Sequence, residues 1–280
     1  MISVLILTLN EEVNIRRCIE SVSWSDDIVV LDSGSTDRTV EIAREMGARV
    51  VVRPFDNERD HRTFSLQRIT YKYPWVYNPD ADEVTPPELG EEMRSVVQDT
   101  GRGEVAYRVR YKNMFMGKWL RHGGVYPIWI MRLFRPEKIR FNRRINLEYV
   151  CDGSVGFLRN HFLHYSFNKG ITAWMDKHNR YSTDEAVETL HDLRNNEMDW
   201  RGLWQRKDSL RRRKAMKQLS FRLPMRGLAR FVYMYVFRMG VLDGRPGLTY
   251  CLLVSFYEYL IVLKAREILH REKKPAVRAA

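Results

Sequence analysis

Three acidic clusters hold the side chains in this chain that are best suited to chemistry: Thr8-Leu9-Asn10-Glu11, Asp32, and Asp80-Ala81-Asp82. An Asp-x-Asp turn supplies hard carboxylate oxygens, which suit Mg2+ or Mn2+ when phosphate oxygens complete the shell. A nucleoside diphosphate fits such a set. Its base and ribose can pair with acids such as Asp32, whereas its diphosphate repels carboxylates unless a divalent cation lies between them. That cation also offsets the charge that builds up on a leaving diphosphate. Each cluster has a plainer use when taken alone. Asp-x-Asp also makes a solvated turn, Asp32 a turn former, and Glu11 a complement to a helix dipole.

The elements around the clusters decide between these uses. Residues 2–9 (ISVLILTL) are a continuous apolar run, as expected of a parallel strand covered on both faces. Asn10 then stands where a helix N-cap belongs, with Glu11 and Glu12 in the first turn and Ile15, Cys18, Ile19 and Val22 at helical spacing. A second strand, 28–31, ends at Asp32. Ser35 or Thr36 caps a helix running to Met46, with Gly47 just past its end. A third strand, 48–52, precedes a helix over 61–72, and a fourth, 75–78, runs into Asp80. The alternation predicts an open, mostly parallel α/β sheet that binds ligands at the carboxyl ends of its strands. All three acidic clusters then share one edge. Residues 104–165 change to short strand-like runs at 105–111 and 129–134, and from about 170 onward helices are expected.

Composition narrows the class. The chain has 280 residues, 44% hydrophobic and 29% charged, which suits a folded protein and excludes a disordered one. Cys18, Cys151 and Cys251 are odd in number and far apart, which argues against a disulfide framework or zinc knuckle and for a reducing compartment. The first residues, MISVLILTLNEE, lack a basic leader and read as a buried strand, not a signal peptide.

Several segments resemble the family 2 glycosyltransferases, which have the GT-A fold. "SVLILTLNEE", "IVVLDSGSTDRTVEIA" and "WVYNPDADE" are similar to that family's nucleotide-binding half. "GKWLRHGGVYPIWIMRLFR", "HYS", "NRYST" and "FRMGVLDGRPGLTY" resemble the branch containing lipopolysaccharide-core glucosyltransferases. The likeness runs over roughly residues 2–266. It implies a GT-A catalytic domain over 1–168, with the nucleotide-sugar at 1–100 and the acceptor side and catalytic base at 101–168. A helical, basic and amphipathic region follows at 169–280.

Carried over residue by residue, the resemblance gives Thr8, Asn10 and Glu11 to the donor pocket and Asp32 to the base. It gives Arg62 to the donor's phosphate or base, Asp80 to the ribose and metal, and Asp82 to the metal, Mg2+ or Mn2+. Trp119 and the turn at 121–124 fall near the sugar and acceptor. This chain has His61-Arg62-Thr63 where the branch usually has Gln-Arg-Asn, and Asn78-Pro79 where the strand is usually apolar. The branch's Val-His-Glu is replaced by Ile145-Asn146-Leu147, with Glu148 one place later. Glu148 is therefore the expected base, with Asp152 and Glu83 behind it. His161 and His164 could add a late metal ligand or form a structural pair.

The net charge of +12 is concentrated. Residues 201–240 hold twelve Arg or Lys against Asp208 alone, so this segment carries +11 of it. A localised anionic partner is implied. Aromatic-rich apolar stretches follow at 231–237 and 248–263, the second only sixteen residues long and containing Glu258. About 20 apolar residues are needed to cross a bilayer. The expectation is therefore a hairpin lying on an anionic membrane surface, with Phe231, Tyr235 and Phe237 adding apolar contact. The alternative is a helical pair packed on the domain. No nucleic-acid-binding signature accompanies the bases, so nucleic acid is not the expected partner.

Together these readings imply an inverting transferase that moves a hexose, of glucose type, from a UDP-sugar to a lipid-linked or lipopolysaccharide-type acceptor. It would work in the cytoplasm, peripherally on the inner face of the cytoplasmic membrane. A polyprenyl-phosphate sugar synthase is the enzymatic alternative. A non-catalytic nucleotide-sugar or glycan binding protein on a transferase scaffold is the alternative of another class.

Overall fold

The computed structural model describes residues 1–142, 148–195, 198–204, 211–212, 215–216, 219 and 225–273. The chain divides into two compact units, Met1–Trp119 with Val125–Asn168, and Leu120–Gly124 with Lys169–Ala280.

The first unit opens with β1 (Ser3–Thr8), α1 (Ile15–Ser21), β2 (Ile28–Asp32), α2 (Thr39–Glu45), β3 (Arg49–Val52), α3 (Glu58–Arg68) and β4 (Val76–Tyr77). It continues through β5 (Glu83–Val84), α4 (Pro87–Gln98), β6 (Glu104–Phe115), β7 (Lys118–Leu120) and β8 (Trp129–Phe134). The hairpin β9 (Ile139–Asn142) and β10 (Glu148–Cys151) precedes β11 (Ser154–His164). The main sheet runs β3-β2-β1-β4-β8-β6-β11-β5, with β7 beside β6. Strands β3, β2, β1 and β4 are parallel, β8 and β5 are antiparallel to their neighbours, and β6 and β11 are parallel. This is the mostly parallel, helix-flanked sheet expected from the sequence. Side chains alternate across β1, so Val4 and Ile6 pack with α1 and α4 on one face. Leu5 packs with Leu31, Val76 and Phe134 on the other.

Four local expectations are corrected. α1 starts at Ile15, not after Asn10, because Asn10 takes a left-handed backbone (φ 55°) and the amides of Asn14 and Ile15 donate to the Glu11 carbonyl. α2 starts at Thr39, where Asp37 accepts from the Thr39 amide; Ser35 and Thr36 bond Asn10 instead. α3 begins at Glu58, three residues before the helix expected there, since Asn57 caps it by accepting from the Asp60 amide at 3.0 Å. The runs expected to be short at 104–165 include two long strands, β6 of 12 residues and β11 of 11.

The second unit contains α5 (Gly170–Asn195), α6 (Trp200–Leu203), α7 (Arg226–Val232), a π-helical turn (Tyr233–Phe237), a 3-10 turn (Gly240–Asp243) and α8 (Gly244–Lys273). Ala186 and Leu190 of α5 bury themselves against Ile261 and Ala265 of α8. The sixteen-residue stretch belongs to a helix of 30 residues, long and apolar enough to cross a membrane by length and composition.

Candidate functional site

Strand register levels the acidic clusters. Thr8 pairs with Asp32 across β1 and β2, and Leu7 bridges Asp80 on the other side of β1. The carboxyl ends of three parallel strands therefore deliver Thr8, Asp32 and Asp80 to one edge, the place where open α/β sheets bind ligands.

Asp32 is buried and fully engaged. Its Oδ1 accepts from the amides of Gly34 (2.9 Å) and Ser35 (2.8 Å), and its Oδ2 accepts from Thr8 Oγ1 at 3.0 Å. Asn10 ties the two strand-end loops together, since its amide donates to Ser35 Oγ and its Oδ1 accepts from the Thr36 amide, both at 2.8 Å. Glu11 Oε2 accepts from Asn14 Nδ2 at 2.8 Å. These contacts fix the two strand-end loops against each other from local sequence.

The Asp80–Glu83 turn is organised by two arginines. Arg132, on β8, is 3% exposed and pairs with both Asp80 and Glu83. It arrives there because β8 runs antiparallel to β4, which sets the Arg132 carbonyl to accept from the Asn78 amide at 2.7 Å. Arg62 of α3 lies 4.0 Å from Asp80 and donates to Asn78 Oδ1 at 3.1 Å and Tyr149 Oη at 3.5 Å. Burial favours a neutral Asp80, but Arg132 and Arg62 outweigh it and hold the carboxyl down to about 2. Glu83 sits deeper, and burial pushes it up to about 8 against the opposing pull of Arg132.

Asp82 lies on the other side of this turn. Its Oδ2 is 3.3 Å from His164 Nε2 at the end of β11, and its carbonyl accepts from the Tyr165 amide at 2.9 Å. Burial disfavours a charged His164, but the Asp82 carboxylate raises its affinity for a proton overall. The Asp82 carboxylate is the hard ligand that Mn2+ or Mg2+ takes, with the shell filled from diphosphate and water; the His164 imidazole is a softer ligand, compatible with Mn2+ and poorly matched to Mg2+. Among the described residues no cluster of three or more His, Cys, Asp or Glu forms a closed metal cage.

The remaining expected residues lie apart from this group. Glu148 is exposed at the start of β10, while Tyr149 packs on Phe141 and reaches Arg62. Neighbours on a strand point oppositely, so Glu148 projects from the other side of the hairpin. Asp152 is exposed and paired with Lys138 at 3.0 Å, beyond the far end of β10 from Glu148. Ile145-Asn146-Leu147 lie outside the described residues. Trp119 stacks on His161, with Lys112 Nζ 4.5 Å from its ring. His161 thus parts from His164. The turn Leu120–Gly124 belongs to the second unit, where Asp243 holds it.

Sequence reasoning gave no role to Arg132 or Tyr149. Arg132 did carry a signal, as a lone charge inside the apolar run WIMRLF. A buried charge is retained when paired.

Residues 3–166 match the profile of the family described as Glycosyl transferase family 2. The chain belongs to that family. An uncharacterized glycosyltransferase of Rickettsia typhi is 27% identical over 95% of this chain and 87% of its own length. The lipopolysaccharide core biosynthesis glycosyltransferase LpsC of Rhizobium meliloti is 28% identical over 67% of this chain and 72% of its own. A crystal structure of Mycobacterium tuberculosis glucosyl-3-phosphoglycerate synthase with Mn2+, UDP-glucose and phosphoglyceric acid is also similar. It is 31% identical over 40% of this chain and 44% of that one, with a TM-score of 0.34.

Proposed function

We propose that this glycosyltransferase moves a hexose from a UDP-sugar to a lipid-linked or lipopolysaccharide-type acceptor, with inversion at the anomeric carbon and with Mg2+ or Mn2+. One observation carries the reading. Thr8, Asp32 and Asp80 stand level at the carboxyl edge of parallel strands, and Asp82 and His164 lie 3.3 Å apart beside them. In this assignment Asp32, held by Thr8, Gly34 and Ser35, sets the loop against which the base lies, Asn10 and Glu11 shape the pocket, and Asp80 with Arg62 faces the ribose and phosphates. Asp80 was also expected as a metal ligand; Arg132 and Arg62 already hold its carboxylate, so Asp82 and His164 are the ligand pair. The cation supplies charge stabilisation to the departing diphosphate.

Inversion requires no covalent intermediate. A carboxylate removes the proton of an acceptor hydroxyl as that oxygen attacks the anomeric carbon from the face opposite the diphosphate, and the bond to the diphosphate breaks. Glu148 keeps this role as the base implied by the resemblance, although β10 turns it away from Tyr149 and Arg62 here, so it must swing toward the site to act; Glu83 is 1% exposed and bonded to Arg132. Similarity to LpsC over two thirds of the chain supports the lipopolysaccharide-type acceptor. The long apolar helix α8 supports work at a membrane; the cytoplasmic face is the side proposed.

The test is UDP release from a panel of UDP-sugars with Mn2+, with and without lipid-linked acceptors. Acceptor-dependent release with one UDP-hexose, and a β-linked product from an α-linked donor, is the expected result. Binding of donor with no turnover on any acceptor would instead indicate a non-catalytic binding protein. An acid-labile product on a polyprenyl phosphate would indicate a polyprenyl-phosphate sugar synthase.

A further inference from the structure

The helical unit is built the wrong way round for water. Where α7 meets α8, the contact is made by glycine and charge. Arg226 and Glu258 form an ion pair with side chains 9% and 15% exposed. A Cβ on Gly227 would come within 2.8 Å of the Ser255 carbonyl, and one on Gly247 within 2.3 Å of the Gly240 carbonyl, so the hairpin closes only without side chains there. Another side of α8 is used by α5 through Ile261 and Ala265.

The apolar side chains point outward. Leu252, Phe256, Tyr259 and Leu263 recur at steps of four, three and four, which places them on one stripe of α8, and all four are exposed. Val232, Val236 and Phe237 continue exposed apolar surface along α7 and the π-helical turn, with Phe237 73% exposed. Phe231 and Tyr235, expected to meet lipid, instead stack on each other at 5.2 Å and are half-buried. Exposed apolar side chains on both arms of one hairpin mark a candidate interaction site.

Charge identifies the occupant. Arg230, Arg238 and Arg245 sit along the same hairpin, and among the described residues none has a carboxylate partner. Of the basic cluster at 211–214, Arg212 is exposed. Arg211 is paired with Asp199, and Arg213 and Lys214 lie outside the described residues. Apolar side chains beside unpaired arginines match the acyl chains and phosphates of an anionic leaflet.

We infer that the outer face of α7, the π-helical turn and α8 docks in the plane of an anionic phospholipid bilayer. Leu252, Phe256, Val236 and Phe237 enter the acyl boundary, and Arg230, Arg238 and Arg245 meet headgroup phosphates. α8 lies along one leaflet and does not cross it, because its other sides are committed to α5 and to the Arg226–Glu258 pair. This deepens the membrane-surface reading above and rests on it only for the choice of partner. Vesicle binding is measured without sugar transfer, so the two can fail separately.

The experiment is flotation of the full chain with phosphatidylglycerol–phosphatidylcholine vesicles and with phosphatidylcholine alone, over a salt series. Wild type should float with anionic vesicles and bind neutral ones more weakly. A Leu252→Glu, Phe256→Glu variant should lose at least about a hundredfold in partitioning, from two half-exposed apolar side chains. Its circular dichroism and UDP binding should be unchanged. A triple Arg230→Gln, Arg238→Gln, Arg245→Gln variant should lose the salt-sensitive part and keep the rest. Three results would overturn the inference: wild-type flotation of the apolar variant, no flotation of wild type, or a stable homodimer that this variant dissociates.

Discussion

His164 Nε2 stands 3.3 Å from Asp82 Oδ2, so the last residue of β11 meets the turn that follows β4. That distance is too long for a strong hydrogen bond; in the proposed function the two groups hold the cation. Asp82→Asn and His164→Gln should each weaken Mn2+-dependent UDP binding by at least about 10-fold, the low end of what loss of even an outer-shell partner costs, with the fold retained. Titration calorimetry of UDP with and without Mn2+ reads this directly. EDTA should abolish transfer, and Mn2+ or Mg2+ should restore it. Wild-type Mn2+ dependence in His164→Gln would remove the histidine from the ligand set.

Arg132 is the second long-range participant, and its loss should be felt in stability. Arg132→Met leaves the buried Glu83 without its cation and the 38% exposed Asp80 with Arg62 alone; removing one partner of a buried pair costs about 3–5 kcal/mol, and the exposure of Asp80 puts the expected loss at about 3 kcal/mol. Adding Glu83→Gln should recover part of that loss, because an unpaired buried carboxyl is then gone. Urea denaturation of the two variants and wild type gives the comparison. Equal stability of Arg132→Met and wild type would mean the guanidinium is not what holds this turn.

The contrast between Asp82 and Arg132 explains what could be read without coordinates. Asp32 and Asp80 end apolar strands, so their place on the ligand edge follows from local pattern and from the rule that parallel strands align their carboxyl ends. Arg132 and His164 reach the same turn through the pairings β4 with β8 and β11 with β5, which no local pattern encodes. Asn10 misled because a helix N-cap and a left-handed loop residue use the same side chain, and here the loop to Ser35 and Thr36 won. β6 looked short because polar residues interrupt it, as in EVAYRVRYKNMF, although each still takes its place in a half-exposed strand. For α8 the sixteen apolar residues were recognised, but the charged turns after Leu263 hid the helix's true length.

The base assignment makes a kinetic prediction. Glu148→Gln should lower kcat by at least about 100-fold, the lower end for loss of a general base, with the affinity for UDP-sugar nearly unchanged. Asp152→Asn should be close to wild type, since Asp152 is exposed and paired with Lys138. A dead Glu83→Gln beside an active Glu148→Gln would move the role to the buried carboxyl.

The last prediction concerns Asp243, which anchors a turn from far away in the chain. Its buried carboxylate accepts from the amides of Arg121 (3.0 Å) and His122 (2.8 Å) and faces His122 Nδ1 at 2.8 Å. The Gly123 amide donates to the Arg238 carbonyl at 2.8 Å, so the turn is fastened on both sides of the 3-10 segment. Asp243→Ala removes the acceptor for several donors at once, and each buried donor left unpaired costs about 1–3 kcal/mol. Asp243→Asn keeps one carbonyl oxygen and should retain part of that stability. The local signature is amide exchange. Protection at Arg121 and His122 should fall in Asp243→Ala, while amides of β1 and β2, which depend on the parallel sheet, keep theirs. Uniform loss of protection through both groups would mean that Asp243 supports the whole fold and not this turn. Unchanged protection at Arg121 would mean that water replaces the carboxylate without cost.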